Sequence, residues 1–337
     1  MPGFGNVYVK VIKTNPIGQE PFYKVGPCER ISFIKFEHIL KYLNDGQLIA
    51  YIVVDNDEKI EHISADYLVA NRVFITHITP IKDLPNWLNP DFCLTAVRHV
   101  GWSLEYIKPE NQTYEICLAA VQQYGDALQY VPDHLKTYEI CLTAVQQYGD
   151  ALQHVSDHLK TYEICLASVS QHGGALRFVP DHLKTHELCI TALTDASYAI
   201  KYVCNYYKNK EFYLEAAKKN GNVIQYIDVG YLTHEICLEA VKQRGYQLKF
   251  VPEEYLTDEI YLAAVRQNGH VLSIIIPEDR TTAICLTALE NDGFALMHIS
   301  KVLQTRELCL AAVRQNAKAL MYVRDDLKEV CITTVLN

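Results

Sequence analysis

The chain has 337 residues, 49% of them apolar and 21% charged, an ordinary globular composition long enough for two cored domains, so disorder is not expected. Its 31 basic and 40 acidic side chains leave a net charge of -9, an average field that repels a phosphate backbone and argues against nucleic acid as a partner. No stretch approaches the roughly 20 uncharged apolar residues of a spanning helix, and the opening MPGFGNVYVKVIK does not place an apolar run behind a charged region. A soluble, intracellular, cytoplasmic protein with no membrane partner is expected.

The first 85 residues form a mixed region. VYVKVIK (7–13) alternates like a strand, FIKFEHILKYL (33–43) has helical spacing, and Asn44, Asp45 and Gly46 signal a turn. QLIAYIVVD (47–55) and VFITHITPI (73–81) read as strands. Asp55, Asp57, Glu58 and Glu61 read as a solvated hairpin rather than a cation site. DLPNWLNP (83–90) is the joint to the rest of the chain, with Trp87 expected to plug the exposed first end of the apolar core beyond it.

Beyond the joint the chain repeats itself. TYEICLAAVQQYGDALQYVPDHLK (113–136) and TYEICLTAVQQYGDALQHVSDHLK (137–160) differ at three positions. Cys93, Cys117, Cys141, Cys165 and Cys189 are spaced by 24, and the register returns at Cys237, Cys285 and Cys309, with Cys331 in a shortened last unit. Tyr213 and Tyr261 fill the two vacant steps, while Cys28 and Cys204 fall outside the register.

Each unit reads as two helices. Thr113 is placed to cap the first, Glu115 sets negative charge in its first turn, and Ile116, Cys117, Ala120, Val121 and Tyr124 form its apolar stripe. Gly125 is expected to end it in a left-handed C-terminal cap. Asp126 is expected to cap a shorter second helix that buries Ala127, Leu128, Tyr130 and Val131 and is limited by Pro132.

A 24-residue unit cannot bury its apolar side alone, so neighbours must stack around a shared core. The expected fold is mainly α: an alpha-solenoid at 86–337, with nine full units and a truncated end from about Asp91, behind a small α+β domain at 1–85. The unit at 196–211 departs most, with Ser197 for glycine and the segment YVCNYYKNKEF, so a bend or local loosening is expected there.

Two ladders invite chemistry. Equivalent cysteines on stacked helices lie a helix-packing distance apart, too far for a disulfide, and present no four ligands converging on one point. They are expected to be buried, reduced and metal-free. His134, His158 and His182 recur in the PDHLK turn, where one ring per unit supplies one ligand per site, so solvated turn histidines are expected. No phosphate loop, H-E-x-x-H or G-x-S-x-G occurs, and neither enzyme activity nor a cofactor is expected. The outward row of the first helices, five residues after the markers from Cys117 onwards, reads Gln122, Gln146, Ser170, Thr194, Lys218, Lys242, Arg266, Glu290, Arg314. Its members differ where the units are otherwise alike, which makes Gln122, Gln146, Lys218, Lys242, Arg266 and Arg314 candidate partner-binding residues; the basic three from Lys218 to Arg266 are expected to form a strip that recruits an acidic protein segment.

The phrase E-I-C-L-x-A-V-x-Q-x-G-x-x-L-x-Y-V-P over 91–337 resembles helical repeats of unknown function abundant in giant, mimivirus-like viruses of amoebae. Residues 31–75 resemble the module that precedes ankyrin arrays in those viruses, without its glycine-rich lead-in. The resemblance carries no catalytic residues; it implies a viral protein in the cytoplasm of an infected amoeba, acting through protein contacts. A repeat scaffold that binds a protein, such as a host factor, is the expected function. The alternatives are a structural component of the virion and an enzyme hidden in the N-terminal domain.

Overall fold

The computed structural model describes residues 8–12, 26–35, 39, 48–54, 60–64 and 68–336. The chain divides into two compact units, Met1–Gln171 and His172–Asn337.

In the first unit the strands are β1 (Tyr8–Ile12), β2 (Gly26–Lys35), β3 (Leu48–Val54), β4 (Glu61–His62) and β5 (Leu68–Pro80). All pairings are antiparallel. β1 lies between β2 and β3, and the long β5 pairs with both β3 and β2, so these four strands close on themselves, with β4 added at β5. Phe33, Ala50, Ile52, Leu68, Ala70, Val73 and Ile75 form the core. The strands expected at 7–13, 47–55 and 73–81 are present. The helix expected at 33–43 is corrected at its start, because Phe33, Ile34 and Lys35 pair as strand in β2; a short apolar run does not separate the two periods. Most of the remainder of that segment, the turn at 44–46, and Asp55, Asp57 and Glu58 lie outside the described residues, while Glu61 is exposed in β4.

After Pro80 no strand occurs among the described residues. Trp87 is 3% exposed; its indole N–H donates to the Ile81 carbonyl (2.7 Å) and its ring packs against Phe92 and Tyr106 at the mouth of the first repeat. This is the plug expected of it. Helices α1 (Pro90–His99), α2 (Tyr114–Gln123), α3 (Tyr138–Gln147) and α4 (Tyr162–Gln171) complete this unit. The second unit continues with α5 (His186–Asp195), α6 (Lys210–Lys219), α7 (His234–Gln243), α8 (Asp258–Gln267), α9 (Thr282–Asn291), α10 (Arg306–Gln315) and α11 (Asp325–Leu336).

Within each unit consecutive α-helices pack on one another, and the array is a helical solenoid. Each full repeat is an α-helix, a six-residue 3-10 segment such as Gly125–Tyr130, and a three-residue 3-10 turn such as Asp133–Leu135. Nine full repeats are present among the described residues; the tenth runs from its 3-10 segment into α11 without the small turn.

The start signal works as expected: Thr113 Oγ1 accepts from the Ile116 N–H at 3.3 Å, and Thr137, Thr185, Thr233, Thr257, Thr281 and Thr305 do the same for their helices. Ile116, Cys117, Ala120 and Val121 are buried. Tyr124 is not part of that face. The helix ends at Gln123, and the extended backbone of Tyr124 (φ -148°, ψ 103°) leaves its ring 40% exposed. Tyr130, expected to be buried, is half-buried.

Gly125 is not a left-handed cap. A Cβ at this position would lie inside van der Waals contact of the Ala144 carbonyl oxygen and the Tyr148 side chain, so glycine is required by the close approach of the next repeat's helix, not by backbone conformation. Asp126 is not a cap either, since the residue before the glycine holds that position. Later repeats use it properly: Asn220, Asn268, Asp292 and Asn316 each accept from the N–H two residues on.

Candidate functional site

The most regular polar contact joins one repeat to the next. The N–H of Gly125 donates to Gln147 Oε1 at 2.7 Å, and Gly149 donates to Gln171 at 2.6 Å. Gly101 donates to Gln123, Gly173 to Asp195, Gly245 to Gln267, Gly269 to Asn291 and Gly293 to Gln315. The amide also reaches backwards: Asn291 Nδ2 donates to the Arg266 carbonyl (2.8 Å) and Gln315 Nε2 to the Asn291 carbonyl (3.2 Å). The pair is a clip that satisfies a donor and a helix-end acceptor left over by adjoining segments. The sequence carries its signal in a position that holds glutamine in six repeats, beside the variable fifth position.

At one junction the residues of the clip are both replaced. Ser197 stands for the glycine and Lys219 for the glutamine 22 residues on. A serine Cβ opposes close approach, and a lysine offers no acceptor. The α-helices on either side of this position lean on the 3-10 segment before them, as α5 and α7 do, but α6 barely touches Ser197–Tyr202. This is the loosening expected at 196–211.

The register cysteines are buried thiols. Burial pushes Cys117 and Cys189 up to about 12 and Cys141, Cys165, Cys237 and Cys309 up to about 11, so they stay protonated and unreactive near neutrality. His134, His158 and His182 are exposed on their turns, where Lys136, Lys160 and Lys184 pair with Asp133, Asp157 and Asp181. Among the described residues no three His, Cys, Asp or Glu side chains converge to hold a metal ion.

Gln122, Gln146, Ser170, Thr194, Lys218, Lys242, Arg266, Glu290 and Arg314 are all exposed. Lys242 is held by Glu239 of its own helix at 2.8 Å, with Glu259 and Glu235 close enough to raise its pKa further. Its positive charge is locally offset.

Two features of the second unit leave no periodic signal in the sequence. His270 places Nε2 3.1 Å from Asp292 Oδ2 and Nδ1 3.0 Å from His298 Nε2. Burial, His270 and Arg280 hold His298 below the ordinary imidazole pKa. The second feature is a groove of about 500 Å³ between the seventh and eighth repeats. Leu248, Val251 and Leu256 line its inner part, with Ile274 and Ile276 beside them and Lys249, Glu253 and Asp279 also at its surface. Tyr261, which replaces the marker cysteine, reaches it and donates to Asp279 Oδ2 at 2.6 Å; burial and that carboxylate push the phenol above its usual pKa.

Stacked α/3-10 units joined by these clips define the class: a helical repeat protein. A family model described as a domain of unknown function, DUF4116, matches residues 89–136, 113–160, 137–184, 233–279 and 284–328, together more than half of the chain. The protein belongs to that family. The matched stretches leave out 185–232, which contains Ser197, Tyr213 and Lys219. No curated protein and no solved structure matches the chain.

Proposed function

We propose that this protein is a non-enzymatic scaffold whose repeat array binds another protein. The observation that supports this reading is the division of labour along the first helices. The sixth position holds glutamine in six repeats, with Asp195 and Asn291 serving the clip in two more, while the adjacent fifth is exposed in every repeat and, from Gln122 onwards, changes from neutral to mostly basic. Stacking demands the first pattern and is indifferent to the second. A repeated surface that varies without structural reason suits recognition of one extended partner. On this reading the resemblance to giant-virus repeats sets the scene in the cytoplasm of an infected amoeba, with a host protein as the partner.

The test is affinity capture of the tagged full-length chain from infected amoebae, with mass spectrometry of the proteins retained. A protein enriched reproducibly over the tag alone, and bound directly when purified, is the expected result. Recovery of the chain at fixed copy number in purified particles, with no other protein retained from lysate, would replace the scaffold by a structural component of the virion.

A further inference from the structure

We propose that the groove between the seventh and eighth repeats docks a protein segment presenting a large apolar side chain flanked by basic residues. This rests on the reading of the array as a protein-binding scaffold and adds a place and a chemistry to it.

The groove lies where two side chains that bridge repeats elsewhere are exchanged. At the two following junctions a long polar arm crosses from repeat to repeat. Arg280 donates from Nε to the Ile275 carbonyl (2.8 Å) and from a terminal nitrogen to the His298 carbonyl (2.6 Å). Gln304 donates likewise to the carbonyls of Ile299 (3.1 Å) and Tyr322 (3.0 Å). The equivalent residue at the groove is Leu256, and the equivalent carbonyls belong to Val251 and Ile274. Leucine has no donor with which to make the crossing. Leu232 makes the same exchange one junction earlier, but there the Tyr255 hydroxyl reaches the Leu232 carbonyl (3.2 Å), and Tyr213 and Tyr231 pack together beside it. At the groove the residue equivalent to Tyr255 is Asp279, and the space stays open.

The walls are unusual in the same place. Ile274 stands where seven of the other repeats carry phenylalanine or tyrosine and two carry histidine, and Ile276 where most carry proline, serine or cysteine. They are 42% and 57% exposed. Two neighbouring branched aliphatic side chains above an apolar floor form a receptor for one large apolar group, and the volume falls in the range of ordinary ligand pockets.

Charge selects the residues that flank that group. Glu253, Glu254 and Glu278 are exposed on the two turns that border the groove, and Asp279 lies between them and Tyr261. The one cation lining the groove, Lys249, lies across the Phe250 ring (4.7 Å). A lysine or arginine of the incoming segment meets this acidic border and can supply the donors that Arg280 supplies next door.

The probe is a fluorescein-labelled eight-residue peptide with a central Ile-Trp pair between two Arg-Lys pairs, titrated with the full-length protein and followed by anisotropy. Control peptides carry Glu for the basic residues or Ser for the apolar pair. The expected result is saturable binding of the probe and loss with either control. Ile274→Asp with Ile276→Asp adds negative charge yet should weaken binding by about tenfold or more, since tenfold corresponds to only about 1.4 kcal/mol. Leu256→Arg should close the groove with its own arm and also abolish binding, while melting at or above the temperature of the parent. Equal binding by parent, Leu256→Arg and the double variant, or no binding by the parent, overturns the groove proposal and leaves the scaffold reading to affinity capture. A scaffold failure reads differently: the probe binds in the groove, yet no cellular protein is retained.

Discussion

Ser197 and Lys219 depart together from the residues that pair at the other junctions, and the contact between α6 and the 3-10 segment before it falls away with them. Glycine and glutamine at these two positions act across the same repeat boundary, the first by allowing close approach and the second by accepting its N–H.

Restoring both should therefore tighten this junction. Ser197→Gly with Lys219→Gln should regain a partly buried hydrogen bond of the kind at the other junctions, worth about 0.5–1.5 kcal/mol, offset in part by the chain entropy of the new glycine. Hydrogen exchange at residues 197–219 should slow in the double variant. Lys219→Gln alone should do little, because the serine Cβ still holds the repeats apart; an equal effect of the single variant would show that the two positions act separately.

The opposite change belongs at a well-formed junction. Gly125→Ala drives a methyl group into the Ala144 carbonyl, and overpacking of this kind costs about 1–3 kcal/mol. Chemical denaturation should show the loss, and Gly230→Ala, where a Cβ would meet nothing within 4 Å, is the matched control and should not.

These junctions also separate the legible from the hidden in the sequence. Threonine caps and the Ile116, Cys117, Ala120, Val121 face act within one helix, so spacing reveals them. The six-residue segment is 3-10 rather than α, and its cap position is Tyr124, two residues before the Asp126 that spacing suggests. Spacing marks Gly125 as necessary but hides the reason, since its constraint comes from a carbonyl 19 residues further on. The groove is hidden in sequence because Leu256, Ile274 and Ile276 are unremarkable singly and lie in different repeats.

Cys141 tests the packing account of the ladder. Cys141→Ala should cost on the order of 1 kcal/mol through lost packing. With the thiol pushed up to about 11 by burial, a thiol reagent near neutral pH should label it only as fast as the repeat opens, and denaturant without reductant should release every register thiol at once. Stoichiometric zinc in the purified protein would end the packing account.

His298 gives stability a pH dependence of known sign. Its folded pKa lies below the ordinary histidine value of 6.5, so the unfolded chain takes up the proton first. Stability from this group is complete above that value and is lost as pH falls through it towards the folded pKa. Melting temperature should drop between pH 7.5 and 5.5, and His298→Asn should lessen the drop. An unchanged slope would assign it to other histidines.

The outward row of the first helices supplies the most direct test of where a partner sits. Lys218, Lys242 and Arg266 are exposed, and exposed substitutions usually move stability by less than about 0.5 kcal/mol. Changing all three to Glu should therefore leave the melting curve nearly in place while abolishing capture of an acidic partner and removing the salt dependence of its association rate. The three should not contribute equally. Glu239 already clasps Lys242, so Lys242→Glu alone should weaken capture less than Lys218→Glu or Arg266→Glu. Capture that survives the triple change would move the binding site off this row, to the N-terminal domain or to the face that carries the groove, and the Leu256→Arg variant separates those two.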